Sequence, residues 1–296
     1  MEHIIAPIAS RLHIQKEQII KTLQLLKEGN TVPFIARYRK EVTKGLDEEQ
    51  IRTINEEYQY QVNLEKRKED VLRLIEQQGK LNEELQKKVM ECEKLSQVED
   101  IYRPYQQKRK TRATDAIAKG LKPLAVWLLK QEINGKPEQE AKQYITQDVP
   151  SVEAALQGAK DIIAEMVSDD AAIRERVRNS MQRYGKIVTK EKKKHNDDKK
   201  IYRMYYDYSE RISTLASHRI MAIDRGEKEK VVSVSIDFDK EYMGNWVVQR
   251  FTRKRQGAAS DLVKEAVEDG LKRLVYPSVE REIRSVLSEK AQEQSI

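Results

Sequence analysis

Residues 47 to 78 read DEEQIRTINEEYQYQVNLEKRKEDVLRLIEQQ, and they set the fold class. Asp47, followed three residues later by Gln50, has the form of a capping box, in which each side chain reaches the other residue's backbone amide. Ile51, Ile54, Tyr58, Val62, Leu72 and Ile75 then recur at helical spacing. The pattern predicts one helix over 47–78, a strut about 48 Å long at about 1.5 Å per residue. A strut that is polar over most of its surface is stable only with other helices packed on its apolar stripe.

Helices are expected on both sides of it. Upstream, residues 15–28 carry Ile19, Ile20, Leu23 and Leu26 on one face, with Gly29 as a left-handed cap. Next comes TVPFIARYRK, where Pro33 opens a short helical turn. That turn is expected to carry Phe34 and Ile35 inward and Arg37, Arg39 and Lys40 outward. Downstream, Asn82 caps a helix over 82–94 that buries Cys92 beside Leu85 and Val89. The chain then reaches VEDIYRPYQQKRKTRAT, residues 98–114. Pro104 should end the preceding helix and push Arg103 toward an extended conformation. Arg103, Lys108, Arg109, Lys110 and Arg112, with Tyr102 and Tyr105 among them, suit a phosphate backbone, the rings being free to pack or to stack on bases.

From Gly120 the pattern shortens to helices at 121–131, 137–147, 151–167 and 169–184, with Ser151 as a cap and Asp169 and Asp170 at a helix start. Four short helices with tight turns resemble a helix-turn-helix module, whose last helix offers Arg174, Arg176, Arg178 and Arg183 to phosphates. Residues 185–200 read as a basic loop or linker, briefly extended over Lys186 to Lys190. Tyr202, Tyr205 and Tyr208 are spaced as one packed helical face, and Ser217 begins a helix ending near Arg225-Gly226. VVSVSIDFD, 231–239, alternates as a strand, with 186–190 or 246–251 as its partner; residues 246–251 suit a strand or a short helix. Arg253, Lys254 and Arg255 form a further basic group, and helices over 259–275 and 278–293 close the chain.

Composition limits the function. Of 296 residues 35% are charged, and 56 Lys and Arg against 49 Asp and Glu give a net charge of +7. The lone Cys92 excludes an intramolecular disulfide and suits a reducing, cytoplasmic setting. No apolar run approaches the roughly 20 residues that span a bilayer, and the first residues lack a signal-peptide layout. There is no Gly-rich phosphate loop, HExxH or CxxC pair, and His218 has no second ligand at metal spacing. Asp237, Asp239 and Glu241 alternate onto one face and read as a solvated strand edge rather than a metal site. A non-enzymatic chain without cofactor or metal is expected.

Thr31 to Gln50 and Val98 to Thr114, with SHRIMAIDRGEKEK (Ser217 to Lys230) and PSVEREIRSVLSEKAQEQ (Pro277 to Gln294), resemble the amino-terminal region of the bacterial Tex family. These transcription accessory proteins are related to a eukaryotic transcript-elongation factor and histone chaperone. The resemblance covers essentially the whole chain. Tex proteins continue into YqgF, helix-hairpin-helix and S1 parts, none of which is expected within these residues.

The expected fold is therefore mainly α. It comprises a helical scaffold (1–120) with a long central helix, a helix-turn-helix-like module (121–184), a basic linker (185–200) and a helical return with a short strand (201–296). The resemblance implies binding of RNA or DNA in support of transcription, through backbone contacts with little sequence preference. The expected contacts are Arg37, Arg39, Lys40, Arg103, Tyr105, Lys108, Arg109, Lys110, Arg112, Arg253, Lys254 and Arg255. The alternative is a protein-interaction scaffold, engaging for example the transcription machinery, in which the cations pair with acidic helices.

Overall fold

A computed structural model describes residues 2–106, 110–193, 197, 200–253 and 255–293. The chain is mainly helical, with one small sheet, and divides into two compact units, Met1–Tyr105 and Gln106–Ile296.

The first unit is organised on the strut. Its helices are α1 (Glu2–Leu12), α2 (Lys16–Lys27), α3 (Val32–Tyr38), α4 (Lys40–Thr43), α5 (Glu48–Glu76), α6 (Glu83–Met90) and α7 (Leu95–Tyr102). Asp47 caps α5 as expected: its carboxylate accepts the Gln50 amide at 2.8 Å, and its own amide donates to Gln50 Oε1 at 3.1 Å. The strut serves two separate cores. Ile51 and Ile54 pack with Ile5, Ile8, Ile19 and Ile35, whereas Leu64, Val71 and Ile75 pack with Val89, Cys92 and Val98. The buried stripe also admits polar Gln61, between the two cores, and Lys68, within the second. The Lys68 ammonium donates to Glu65 at 2.9 Å and to the Met90 carbonyl at 3.1 Å, placing a cation at the end of α6 where helix carbonyls are unsatisfied. On α2 the inward face differs from expectation, because Thr22 is buried and Ile20 turns to solvent.

The second unit has one large helical core, and a separate smaller cluster of Ile187, Tyr202, Tyr205, Ile223, Val231 and Val232. It contains α8 (Arg112–Ala118), α9 (Lys122–Lys130), α10 (Pro137–Ala141), α11 (Val152–Asp169), α12 (Ala171–Tyr184), α13 (Ser217–Lys228), α14 (Lys240–Thr252), α15 (Ala258–Gly270) and α16 (Tyr276–Glu293). Leu124 and Leu128 of α9, Ile163 and Val167 of α11, Val177 of α12, and Val263 and Val267 of α15 share that core. Residues 121–184 thus close their hydrophobic surface against helices from the end of the chain. Ser151 and Asp170 cap α11 and α12, accepting the Ala154 and Ile173 amides.

The sheet is antiparallel with β1 (Lys186–Glu191) between β2 (Asp207–Arg211) and β3 (Val232–Asp237). Ile187 faces Ile236 in register, so residues 186–191 are the partner of the alternating strand, while 246–251 lie within α14. The tyrosine cluster is not a helical face. Tyr202 precedes and Tyr205 lies on a 3-10 turn, and Tyr208 lies on β2, its ring 5.3 Å from that of Tyr205 in an edge-on pair. Strand pairing with β1 overrides the helical spacing here.

The two helices expected over 259–275 and 278–293 are not separate: Pro277 follows a π-helical turn, Leu271–Val275, that joins α15 to α16 without a break. Proline lacks an N–H and crowds the carbonyl four residues back, and an i→i+5 turn widens the helix at that point.

Candidate nucleic-acid interface

The two units sort their cations into internal and surface groups. In the first unit Arg67 of α5 grips Glu99 of α7 twice, Nε to Oε1 at 2.5 Å and Nη2 to Oε2 at 3.0 Å. Its guanidinium also lies 5.4 Å from the centre of the Tyr102 ring. The Glu99 hydrogen bond is the main influence raising the pKa of Arg67. The acid and the first ring of the 98–114 stretch thus dock α7 onto the strut. Tyr60, also on α5, accepts the Leu95 amide at 3.1 Å and so ties down the start of α7.

After α7 the backbone forms a 3-10 turn, Arg103–Tyr105, rather than an extended segment. Arg103 keeps φ −49 and ψ −44, and its amide donates to the Glu99 carbonyl. The steric bias against a helical residue before proline yields here to that bond and to the packing of Tyr102 and Tyr105 on the Leu64 core. Tyr105 is half-buried, and its carbonyl accepts Gln78 Nε2 at 2.8 Å. Lys108 and Arg109 lie outside the described residues. In the second unit Lys110 is exposed 3.8 Å from Asp115, and Arg112 is exposed at the start of α8.

The module's arginines do not behave as a set. Arg174 and Arg178 of α12 are buried and bound to Glu282 of α16, which removes them from any phosphate surface. Their spacing of four puts both on the inner face of α12, alongside Val177 and Met181. Arg176 faces outward and stacks 4.3 Å from the centre of the Trp246 ring, which Arg250 approaches at 5.9 Å.

Two surface groups remain. Arg253 and Arg255 are exposed at the end of α14 and share a groove of about 710 Å³ with Lys130, Arg250 and one acid, Asp170. Lys254 lies outside the described residues. Arg250 belongs to the same basic run in the sequence, whereas Lys130 was not evident as a partner, because α9 and α14 are brought together only by the fold.

Arg37, Arg39 and Lys40 form the other group, all exposed at the α3–α4 junction. Ile35 and Ala36 anchor α3 in the core, but Phe34 turns outward, contrary to expectation. Phe34 and Tyr38 stand one helical turn apart with ring centres 5.3 Å apart, and Arg39 lies 5.5 Å over Phe34. The signal was in the spacing: residues 34 and 38 share a face that cannot also hold Ile35. Among the described residues no three His, Cys, Asp or Glu side chains form a metal-binding group, and no helix is long and apolar enough to cross a membrane. Asp239 caps α14 by accepting the Tyr242 amide, so it does not continue the strand face of Asp237.

A model described as Tex-like protein N-terminal domain matches residues 2–76, and one described as Tex central region-like matches 132–296. The uncharacterized protein YdcI of Bacillus subtilis (strain 168) is 43% identical over 292 residues, covering 98% of this chain and 41% of that protein. Protein YhgF of Escherichia coli (strain K12) is 34% identical over 98% of this chain and 39% of its own length. The transcriptional accessory protein Tex of Neisseria gonorrhoeae is 36% identical over 79% of this chain and 31% of its own. The chain thus spans about two fifths or less of the length of these relatives. With both models in chain order and the central one alone covering over half of it, this chain belongs to the Tex family.

Proposed function

We propose that the chain supplies a nucleic-acid-binding surface to a transcription-associated protein, neutralising backbone phosphates with little sequence preference. The partition of its cations carries the reading. Arg67, Arg174, Arg178, Arg273 and Arg284 are held by carboxylates within the fold. Among the described residues no carboxylate lies at ion-pair distance from Arg37, Arg39, Lys40, Arg112, Arg253 or Arg255. Solvated cations without acids lose little on meeting phosphates, whereas buried pairs would first have to be broken. Transcription enters through the name of the gonococcal relative. The reading gives the chain no reaction to catalyse and places it in the cytoplasm.

A salt titration with labelled duplex and single-stranded oligonucleotides tests it. Affinity should fall steeply with salt. Replacing Arg112 and Arg253 by Ala should lower the log–log slope by about 0.9 per lost phosphate contact on duplex, or about 0.7 on single strands. Thermal stability should barely change, because neither residue is paired. Salt-independent binding, or none at low salt, would overturn the proposal in favour of a protein-docking role. One observation favours that second reading: a largely apolar surface groove between α9 and α10, lined by Pro123, Val126, Trp127 and Tyr144 among others.

A further inference from the structure

The α3–α4 junction gathers two solvent-facing rings, Phe34 and Tyr38, with three exposed cations. Phe34 is 37% exposed and Tyr38 62%, and they belong to a helix whose next turn face, Ile35 and Ala36, is buried. An aromatic pair left in water forgoes the stabilisation that burial would give it. Here Phe34 backs Tyr38 at 5.3 Å and Arg39 covers Phe34, which leaves Tyr38 as the more open ring.

The mounting is firm. α3 ends where Arg39 leaves helical geometry at φ −128, while its amide still donates to the Ile35 carbonyl at 3.0 Å. The Arg39 carbonyl accepts the Thr43 amide at 3.1 Å, and Gln18 Nε2 donates to the Thr43 carbonyl at 2.9 Å. Thr43 itself is fully buried. The turn bearing Arg37, Tyr38, Arg39 and Lys40 is therefore held from α2 and from the core, which fixes the backbone that presents the rings and cations.

We propose that Tyr38, backed by Phe34 and flanked by Arg37, Arg39 and Lys40, is a base-stacking site for single-stranded nucleic acid. It rests on the nucleic-acid reading above and narrows it. A duplex keeps its base faces stacked inside and offers this surface only phosphates, whereas a single strand presents both an open base face and a flexible backbone. Three cations beside one open ring match that pair of features, and among the described residues none of the three is held in an ion pair, although Glu41 follows Lys40.

The test compares affinities of the whole chain for four probes of matched sequence: a single-stranded RNA, a single-stranded DNA, the DNA duplex and a single strand carrying abasic sites. Tyr38→Ala should weaken single-strand binding by roughly 5- to 100-fold. Tyr38→Phe should restore it, because the stacking face remains. Duplex affinity should not move, which also shows that the variant is folded. The abasic strand should bind the parent chain weakly and be indifferent to Tyr38→Ala. The RNA and DNA arms show which strand the site prefers. Equal losses on duplex and single strand would overturn the stacking role. So would unchanged single-strand affinity, and if Arg112→Ala with Arg253→Ala still weakens binding, the broader reading survives that failure. Absence of binding to every probe would remove both.

Discussion

Arg174 of α12 is buried against Glu282 of α16, and Arg178, one turn further along α12, reaches the same carboxylate at 3.0 Å. One acid therefore holds two arginines from a different part of the chain inside the second unit. Removing it takes the shared carboxylate from two guanidinium groups in a site from which water is largely excluded, while Arg174 keeps its contact with Ser278. Breaking a fully buried pair costs about 3–5 kcal/mol; because Glu282 is itself partly exposed, Glu282→Ala should cost about 2–3 kcal/mol. Urea unfolding measures this, and a change below about 0.5 kcal/mol, the usual range for surface substitutions, would show that the pair is not structural.

That pair also marks the limit of what the sequence reveals. The strut, its capping box and most helix boundaries were legible because they depend on local spacing: Asp47, Ser151 and Asn82 cap where they should. The alternating strand was legible too, but its partner only as one of two candidates, since 246–251 suits a strand by propensity as well as 186–190 does. What could not be read was the direction of long side chains. Arg174 and Arg253 are equally charged in the sequence, but the first shares the inner face of α12 with Val177 and Met181 and meets Glu282 of α16 there. Phe34 was misjudged by hydrophobicity alone, since one short helix cannot bury both Phe34 and the Ile35–Ala36 face. Of the basic groups, the fold gathers Arg37, Arg39 and Lys40 with two rings, and Arg253 and Arg255 with Lys130 and Arg250.

Gly270 should resist the change that helix propensity favours. It ends α15 against α11, where an added Cβ would lie 2.8 Å from the Ala164 carbonyl oxygen. Alanine gains about 1 kcal/mol over glycine within a helix. The clash is with backbone rather than a flexible side chain, so helices must separate, at about 1–3 kcal/mol. Gly270→Ala should therefore be neutral to destabilising by about 2 kcal/mol in denaturant melts. A stabilised variant would mean that α11 and α15 pack less closely than described.

Glu280 should make stability depend on pH in an unusual direction. Burial raises its pKa above the ordinary carboxylate value, opposed by a hydrogen bond from the Ile236 backbone and by Arg284 and Lys240, while Glu227 adds to the rise. The folded chain therefore keeps this proton to higher pH than the unfolded chain does. The group favours folding most below its unfolded value, and that advantage declines as pH rises through the folded value. Glu280→Gln mimics the protonated form, so it should be more stable than the parent at pH 7 and equal to it near pH 3.5. Paired melts at the two pH values decide the matter; a variant less stable at pH 7 would assign the carboxylate a needed partner instead.

Tyr102 and Tyr105 sit three residues apart and pack on the same core, yet only Tyr102 is met by Arg67. A cation over a half-exposed ring is worth about 0.5–1 kcal/mol. Arg67→Ala loses that contact together with its paired bonds to Glu99, which are partly screened by solvent. A double-mutant cycle between Arg67 and Tyr102 should therefore return a coupling of about 0.5–1 kcal/mol in the unfolding free energy of the first unit. The matching cycle between Arg67 and Tyr105 should be additive within about 0.5 kcal/mol, because no described interaction joins them. Coupling to Tyr105 as large as to Tyr102 would place both rings in the α5–α7 joint, and Tyr105 would then have no freedom to meet a base. Additivity in both cycles would instead show that Arg67 acts on α7 through Glu99 alone.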